Sequence, residues 1–348
     1  MRLLFLLLSP LLLFAQEPMQ TRTQVLMGTF VSITLPHTDR HKISRSFELI
    51  KRIEDSLSTY DSDATLAKLN KNHQVKIDPY LAEAITLSRA YYTKTNGYFD
   101  VTIGSISKDL YHWGEERTYS PSKQDLQSAT LNINGITIDD LHIKSDKNIT
   151  IDLGGMGKGY GVDKVAAYLK DQNVTKGIVA LSGDIRCLHH CEIVLQSPYT
   201  EETFANITSK HRDLSISTSG TYRRFASTKE EHHLINPKTA SQGKAFVSVS
   251  LFTRADNTKI DAYATALSVM PREEALTFLK AHKEIAFVLV DAKGKILYGN
   301  LTGLIDIEWL DYSEKATNPS RNKKSNTKSS SETSLIHPDT NNPKLIAR

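Results

Sequence analysis

The sequence predicts an α+β fold, because its strand signals come in hairpins, its helix signals come in clusters, and no regular βαβ alternation connects them. The 348 residues suffice for one large domain or two lobes with a substantial core. The first element is a β-branched run, QVLMGTFVSITL at 24–35, read as one strand. Asp39 then caps a helix whose apolar positions Ile43, Phe47, Ile50, Ile53 and Leu57 recur at helical spacing. A second helix opens at Asp78-Pro79, with proline in its first turn, and stops near Thr95 before Asn96-Gly97. Ser120-Pro121 opens a shorter helix, and hairpin signals follow at Asn134-Gly135 and Asp146-Lys147-Asn148. A helix spans about 162–170, then strands fall near 178–181, 192–195 and 214–218. Helices at 258–270 and 272–282 precede a hairpin that pairs 285–290 with 296–298 across Lys293-Gly294. There is no internal repeat and no linker before the tail.

Both ends differ from this body. Residues 1–16 carry one early arginine, an apolar run over 3–14 and the small residue Ala15, the pattern of a secretory signal peptide. Uncleaved, the same run would tether the chain to a membrane of an export compartment, but it is short for a span. No cysteine follows it, which argues against a lipid anchor. Residues 313–348 form a tail rich in Ser, Thr, Asn, Pro and Lys, with seven basic against three acidic side chains, which matches the whole formal charge of +4. Its composition predicts disorder, with contact to anionic lipid or a partner as the alternative to a solvated extension. The remaining body, 17–312, is therefore close to neutral, which argues against nucleic-acid binding. The two cysteines, Cys187 and Cys191, fit a disulfide across a tight hairpin; a zinc site with His189 and His190 would need four near-contiguous ligands to reach a tetrahedron.

Three constellations carry chemistry. The run IDLGGMGKGYGVD at 151–163 places five glycines and Lys158 between a strand-like approach and a helix. Glycines permit positive φ and close approach of backbone, and a helix N-terminus attracts phosphate. The string matches neither a P-loop nor a dinucleotide fingerprint, and glycines kept only for packing in a strand-to-helix turn are the plain alternative. In DAYATAL at 261–267, Asp261 and Thr265 lie at i and i+4, so a carboxylate and a hydroxyl share one helix face. That pair suits Mg²⁺, or else a capping acid and a threonine bonded back to its helix. Finally, SGTYRR at 219–224 and HHLINPKTA at 232–240 place Arg223, Arg224 and His233 near one turn, where His233 has a suitable ordinary pKa for base catalysis.

Taken together these residues resemble the ApbE-type FAD:protein FMN transferases, exported flavin-trafficking enzymes. The resemblance runs over about 27–299, and eight landmarks appear in family order: MGT at 27–29, STYDSDATLAKLN at 58–70, GYFDVTIG at 97–104, the glycine run, SGDI at 182–185, the SGTYRR and HHLINPKTA pair, and DAYATAL. It implies an ApbE-like, T-fold-like architecture of mixed, largely antiparallel sheets flanked by helices. It also implies that Met27, Tyr60, Tyr98, Phe99, Asp100, Asp152, Lys158 and Ile235 contact FAD, Tyr60 by stacking on a planar ring. Mg²⁺ would lie between the main-chain oxygen of Gly155 and the side chains of Asp261 and Thr265. The implied reaction transfers FMN from FAD to a threonine hydroxyl of a partner and releases AMP, with His233 accepting the proton. Typical acceptors are subunits of membrane redox pumps and related exported flavoproteins, at the periplasmic face of the inner membrane or in the periplasm. A Mg²⁺-dependent FAD pyrophosphatase and a non-catalytic exported flavin-binding protein are the alternatives. The chain departs from the family pattern at ALSGD, at Ala240 in place of glycine, and at Gly157 in place of alanine.

Overall fold

The computed structural model describes residues 17–115, 117–222, 224–254, 256–310 and 345–347; the expected signal peptide and most of the basic tail lie outside them. In chain order the elements are β1 (Met19–Leu26), β2 (Thr29–Pro36), α1 (His41–Leu57), α2 (Thr65–Asn72), β3 (Gln74–Lys76), α3 (Pro79–Lys94), α4 (Gly104–Ser107), α5 (Lys123–Ser128), β4 (Ile136–Ile138) and β5 (His142–Ser145). There follow α6 (Gly157–Asp171), β6 (Ile178–Leu181), β7 (Asp184–Cys187), β8 (Glu192–Gln196), β9 (Thr203–Ser209), β10 (Leu214–Gly220), β11 (Ile235–Asn236), β12 (Ser241–Gln242) and β13 (Phe246–Arg254). The chain closes with α7 (Asn257–Val269), α8 (Arg272–Ala281), β14 (Ala286–Asp291), β15 (Ile296–Gly299), β16 (Ile305–Trp309) and β17 (Leu345–Ala347). Eight strands form one sheet in the order β1-β2-β6-β7-β10-β13-β14-β15, all neighbours antiparallel, so the fold is α+β as predicted.

Side chains alternate across a strand, and this sheet uses both faces. Val179, Leu181, Val249, Leu251 and Leu289 enter a core with α1, α3, α6, α7 and α8. Ile178, Ala180, Phe252, Ala286, Val288 and Val290 face the other way and pack on Ile193, Leu195, Ala205 and Ile207 of a second sheet, ordered β16-β9-β8-β17. The result is three layers, with helices on one side of the large sheet and a small sheet on the other. Cys187, at the end of β7, is disulfide-bonded to Cys191, which settles that pair as a cross-link between layers and not a zinc site. Three tail residues, Leu345–Ala347, add in parallel to β8, so the expected disorder does not hold at these three.

Several local expectations need correction. The run 24–35 is two strands, because Met27 and Gly28 both take positive φ, 52° and 67°, and make the two-residue turn that matches strand twist. Asp39 does not cap α1; it sits in a 3₁₀ turn and pairs with Lys42 at 2.7 Å. Asp78 does cap α3, accepting from Leu81 N–H at 2.8 Å, and positive φ at Asn96 and Gly97 ends it. The cap of α5 is Ser122, not the Ser120-Pro121 step. The tight turn between β4 and β5 lies at 139–141, where Asp139 Oδ1 accepts from Leu141 and His142 N–H; Asn134-Gly135 is a 3₁₀ turn instead.

Candidate active site

Helix α6 starts at Gly157, five residues earlier than its apolar spacing suggests, so most of the glycine run is helix. None of its five glycines takes positive φ; close packing explains Gly155 and Gly159. A Cβ on Gly159 would stand 2.5 Å from the Asn257 carbonyl oxygen, and one on Gly155 would stand 3.0 Å from Thr265 Cγ2. The glycines thus let α6 and α7 come together with almost nothing between them.

Charge then fixes their register. Asp163, on α6, accepts from the N–H groups of Asn257 at 3.0 Å and Thr258 at 2.7 Å, meeting the positive end of α7. Arg186 of β7 pairs with Asp163 and with Asp213, and its Nε donates to Asn257 Oδ1 at 2.8 Å. Asn257 Nδ2 in turn donates to the carbonyls of Ile185 and Ile216.

With the helices clamped, residues a hundred positions apart converge. Thr265 Oγ1 lies 3.1 Å from the Gly155 carbonyl oxygen. Asp261, 2% exposed, accepts from Gly159 N–H at 2.9 Å, and Lys158 Nζ stands 3.4 Å from its Oδ2. Burial, helped by the nearby Asp184 carboxylate, raises the Asp261 pKa well above the ordinary range. Lys158 is pulled down by burial and up by Asp184 and Asp261, and the acids win, so it stays an ammonium. Asp184, fully buried, faces Lys158 Nζ with Oδ2 at 2.8 Å, while its Oδ1 accepts from Ser217 Oγ at 2.6 Å. Carbonyl, hydroxyl and carboxylate oxygens are the donors a hard divalent cation takes, and two carboxylates on one ammonium leave the corner short of positive charge. Gly155, Asp261 and Thr265 therefore fit Mg²⁺.

A cavity of about 860 Å³ is lined by Tyr60, Lys71, Lys108, Trp113, Arg117 and Tyr119, among others, none of them a residue of this corner. Tyr60 is 57% exposed with Lys108 Nζ 4.0 Å from its ring centre, and the indole N–H of Trp113 is buried without a partner. Ring faces and cations together suit a planar aromatic joined to phosphate. Asp152 links cavity to corner: Oδ2 accepts from Ser107 and faces Lys108 at 3.7 Å, and Oδ1 accepts from Gly154 N–H at 2.9 Å.

Of the other predicted residues, Met27 packs its thioether on the start of α6, with Sδ 3.4 Å from where a Gly161 Cβ would stand. Phe99 reaches within 3.3 Å of the equivalent point on Gly155. Ile235 shares a small cluster with Trp113. Tyr98 is buried under Lys238, and burial raises its pKa. Asp100 Oδ1 accepts from the Thr102 N–H and hydroxyl at 2.8 and 2.7 Å; of the expected FAD contacts, Tyr60 lines the cavity, whereas Met27, Tyr98, Phe99, Asp100, Asp152, Lys158 and Ile235 do not. His233 Nδ1 lies 3.3 Å from the Arg224 carbonyl, an acceptor only, so the proton belongs on Nδ1 and Nε2 is left basic. Burial pushes its pKa down to about 4 against the hydrogen bond to the Arg224 carbonyl, helped by the positive charges of Arg224 and Lys158, so the ring is neutral at pH 7. Arg223 lies outside the described residues. Sequence reasoning missed Asp184 and Ser217, which the structure sets against Lys158, although SGDI was already a landmark; no local signal marks its acid as buried.

This is the fold of the flavin transferases. The solved ApbE protein of Thermotoga maritima superposes with a TM-score of 0.73 at 24% identity, covering 81% of this chain and 97% of that one. The flavin transferase ApbE of Vibrio cholerae gives 0.69 at 22% identity, covering 87% and 100%. Residues 27–289 match the model of the ApbE family, and the chain belongs to that family. It is 25% identical over 283 residues to the FAD:protein FMN transferase of Klebsiella pneumoniae, covering 78% of this chain and 89% of that one. The enzyme of the same name from Vibrio cholerae is 27% identical over 261 residues, covering 70% and 77%.

Proposed function

We propose that this chain is an FAD:protein FMN transferase that works with Mg²⁺, moving FMN from FAD to a threonine hydroxyl of a redox flavoprotein subunit. The observation that carries the reading is the corner where Gly155 O and Thr265 Oγ1 lie 3.1 Å apart beside the buried Asp261. Gly155, Asp261 and Thr265 would hold Mg²⁺, which when bound neutralises diphosphate charge and orients it. The start of α6, with Lys158 in its first turn, adds the positive end of the helix dipole, which favours an anion. Tyr60 offers an exposed face for a flat ring, and Lys108 and Arg117 line the same cavity. The threonine oxygen bonds to the FMN-side phosphorus, the bridging P–O bond breaks, AMP leaves, and the hydroxyl proton passes to His233 Nε2.

The apolar run near the N-terminus supports export to the periplasm or to the periplasmic face of the inner membrane, where such acceptors reside. Among the described residues no helix is long and apolar enough to cross a membrane. The test incubates purified protein with FAD, Mg²⁺ and an acceptor domain bearing the target threonine. A covalently fluorescent acceptor and stoichiometric AMP are expected. Equal release of FMN and AMP with and without acceptor makes it a pyrophosphatase, and tight FAD binding without turnover makes it a flavin store.

A further inference from the structure

We infer that Asp184 is a positioning residue for the cation corner, acting by holding the Lys158 ammonium away from Asp261 so that the Asp261 carboxylate stays open to a divalent ion. The inference rests on the proposed Mg²⁺ role of Asp261 and goes beyond it.

Three observations carry it. Lys158 Nζ lies between two buried carboxylates but not midway: 2.8 Å from Asp184 Oδ2 against 3.4 and 3.5 Å from the two Asp261 oxygens. Asp184 is aimed from the opposite side by a fixed support, since Ser217 Oγ donates to its Oδ1 at 2.6 Å from the neighbouring strand β10. Its Oδ2 meets the Lys158 ammonium at 2.8 Å, the distance of a charge-assisted hydrogen bond, so its hold on Lys158 is the tighter of the two. Asp261, by contrast, has one oxygen bound by the Gly159 N–H.

The physical consequence follows from charge. An ammonium and a divalent cation compete for the same carboxylate, because each neutralises it and each repels the other. With Asp184 present, Lys158 has a nearer counter-ion and can remain neutralised when a cation takes Asp261. With Asp184 uncharged, Lys158 has Asp261 as its remaining partner and closes on it, and a cation must break that pair to bind.

The test measures Mn²⁺ binding, in the absence of FAD, by the electron paramagnetic resonance signal of free Mn²⁺. The proteins are the unmodified chain, Asp184→Asn, Lys158→Met and the double variant, each checked for folding by circular dichroism. Asp184→Asn is expected to weaken Mn²⁺ binding about tenfold, the scale of one neighbouring charge on a buried carboxylate. In the Lys158→Met background the same change is expected to have less than about twofold effect, because the residue through which Asp184 acts is gone. Ser217→Ala, which keeps both charges, serves where Asp184→Asn fails to fold and is expected to weaken binding in the same direction, by less. Equal weakening in both backgrounds would make Asp184 a direct ligand and overturn the inference, as would no weakening in either. If the unmodified chain binds no Mn²⁺, the proposed metal role of Asp261 fails first and takes this inference with it.

Discussion

Lys158 and Asp163 stand on the same helix, little more than a turn apart, and each anchors a cluster of buried charge. At Asp163 the account is balanced: Arg186 and Lys170 face Asp163 and Asp213, and the remaining donors of Arg186 and Asn257 reach oxygen partners. At Lys158 one cation faces two carboxylates, so one negative charge has no cation of its own. A saturated network has nothing left to bind with, so it fixes where α6 and α7 sit. An unsaturated one, held in place by its saturated neighbour, keeps its unmet charge for a guest.

The comparison breaks most visibly at its structural half. Arg186→Met strands Asp163 and Asp213 without their shared partner and is expected to cost about 3–5 kcal/mol, as for other broken buried pairs. Urea unfolding checks it; a loss below about 1 kcal/mol, within the range of an exposed pair, would show that this cluster is not the clamp. Activity should fall only as far as folded protein is lost.

The functional half should respond in the opposite sense. Asp261→Asn is expected to lower turnover by about 100-fold or more, the scale of removing one electrostatic stabiliser. The metal-free protein should melt no lower than the unmodified chain, because the change removes a buried carboxylate whose pKa is raised and leaves Lys158 with Asp184 as a one-to-one pair. Parallel melting curves and turnover assays decide it; equal loss in both would make Asp261 structural.

How much of this was legible in the sequence follows from which forces are local. The α3 boundaries were readable because Asp78, Pro79, Asn96 and Gly97 each act through their own backbone. The strand at 24–35 was misread because Met27 takes positive φ in a type of turn that β-branched flanks conceal. For the glycine run two readings stand in the sequence, a ligand loop and close packing; the absence of positive φ and the approach of Gly155 and Gly159 to α7 favour packing at those two, against a partner about a hundred positions away that no local pattern reveals. Asp261 and Thr265 could be paired by helical spacing alone. Their meeting with Gly155 came only through the resemblance, and Asp184 needed coordinates, since nothing in SGDI says that its acid is buried against Lys158.

Ala240, which belongs to neither cluster, offers a smaller and cleaner probe. The resemblance puts glycine in this turn; here Ala240 takes φ 52°, with its N–H on the Asn236 carbonyl at 2.9 Å. The turn imposes the conformation and the side chain bears the strain, about 1 kcal/mol or somewhat more for a non-glycine residue in the left-handed region. Ala240→Gly should therefore stabilise the protein by up to about 1 kcal/mol, less the extra entropy glycine gives the unfolded chain. A lowered urea midpoint would show that the turn is relaxed.

A last prediction concerns pH and sharpens the contrast between base and metal corner, because their titrations oppose each other. His233 has a folded pKa near 4, below the ordinary 6.5, so over that interval the unfolded chain binds more protons than the folded one. Its contribution is fully present above the ordinary value and is lost as pH falls toward the folded one. Asp261 is raised, so in the metal-free protein its ionisation costs stability as pH rises above the ordinary carboxylate range. Comparing melting temperatures of the unmodified chain and His233→Asn between about pH 5 and pH 7.5 isolates the first term, since Asp261 is common to both. The unmodified chain should lose more on acidification than the variant. Turnover, if His233 accepts the proton, should show no inflection near 6.5 and should decline only as pH approaches the folded value; a limb centred on 6.5 would mean that the ring is solvated during the reaction and that burial does not set its basicity.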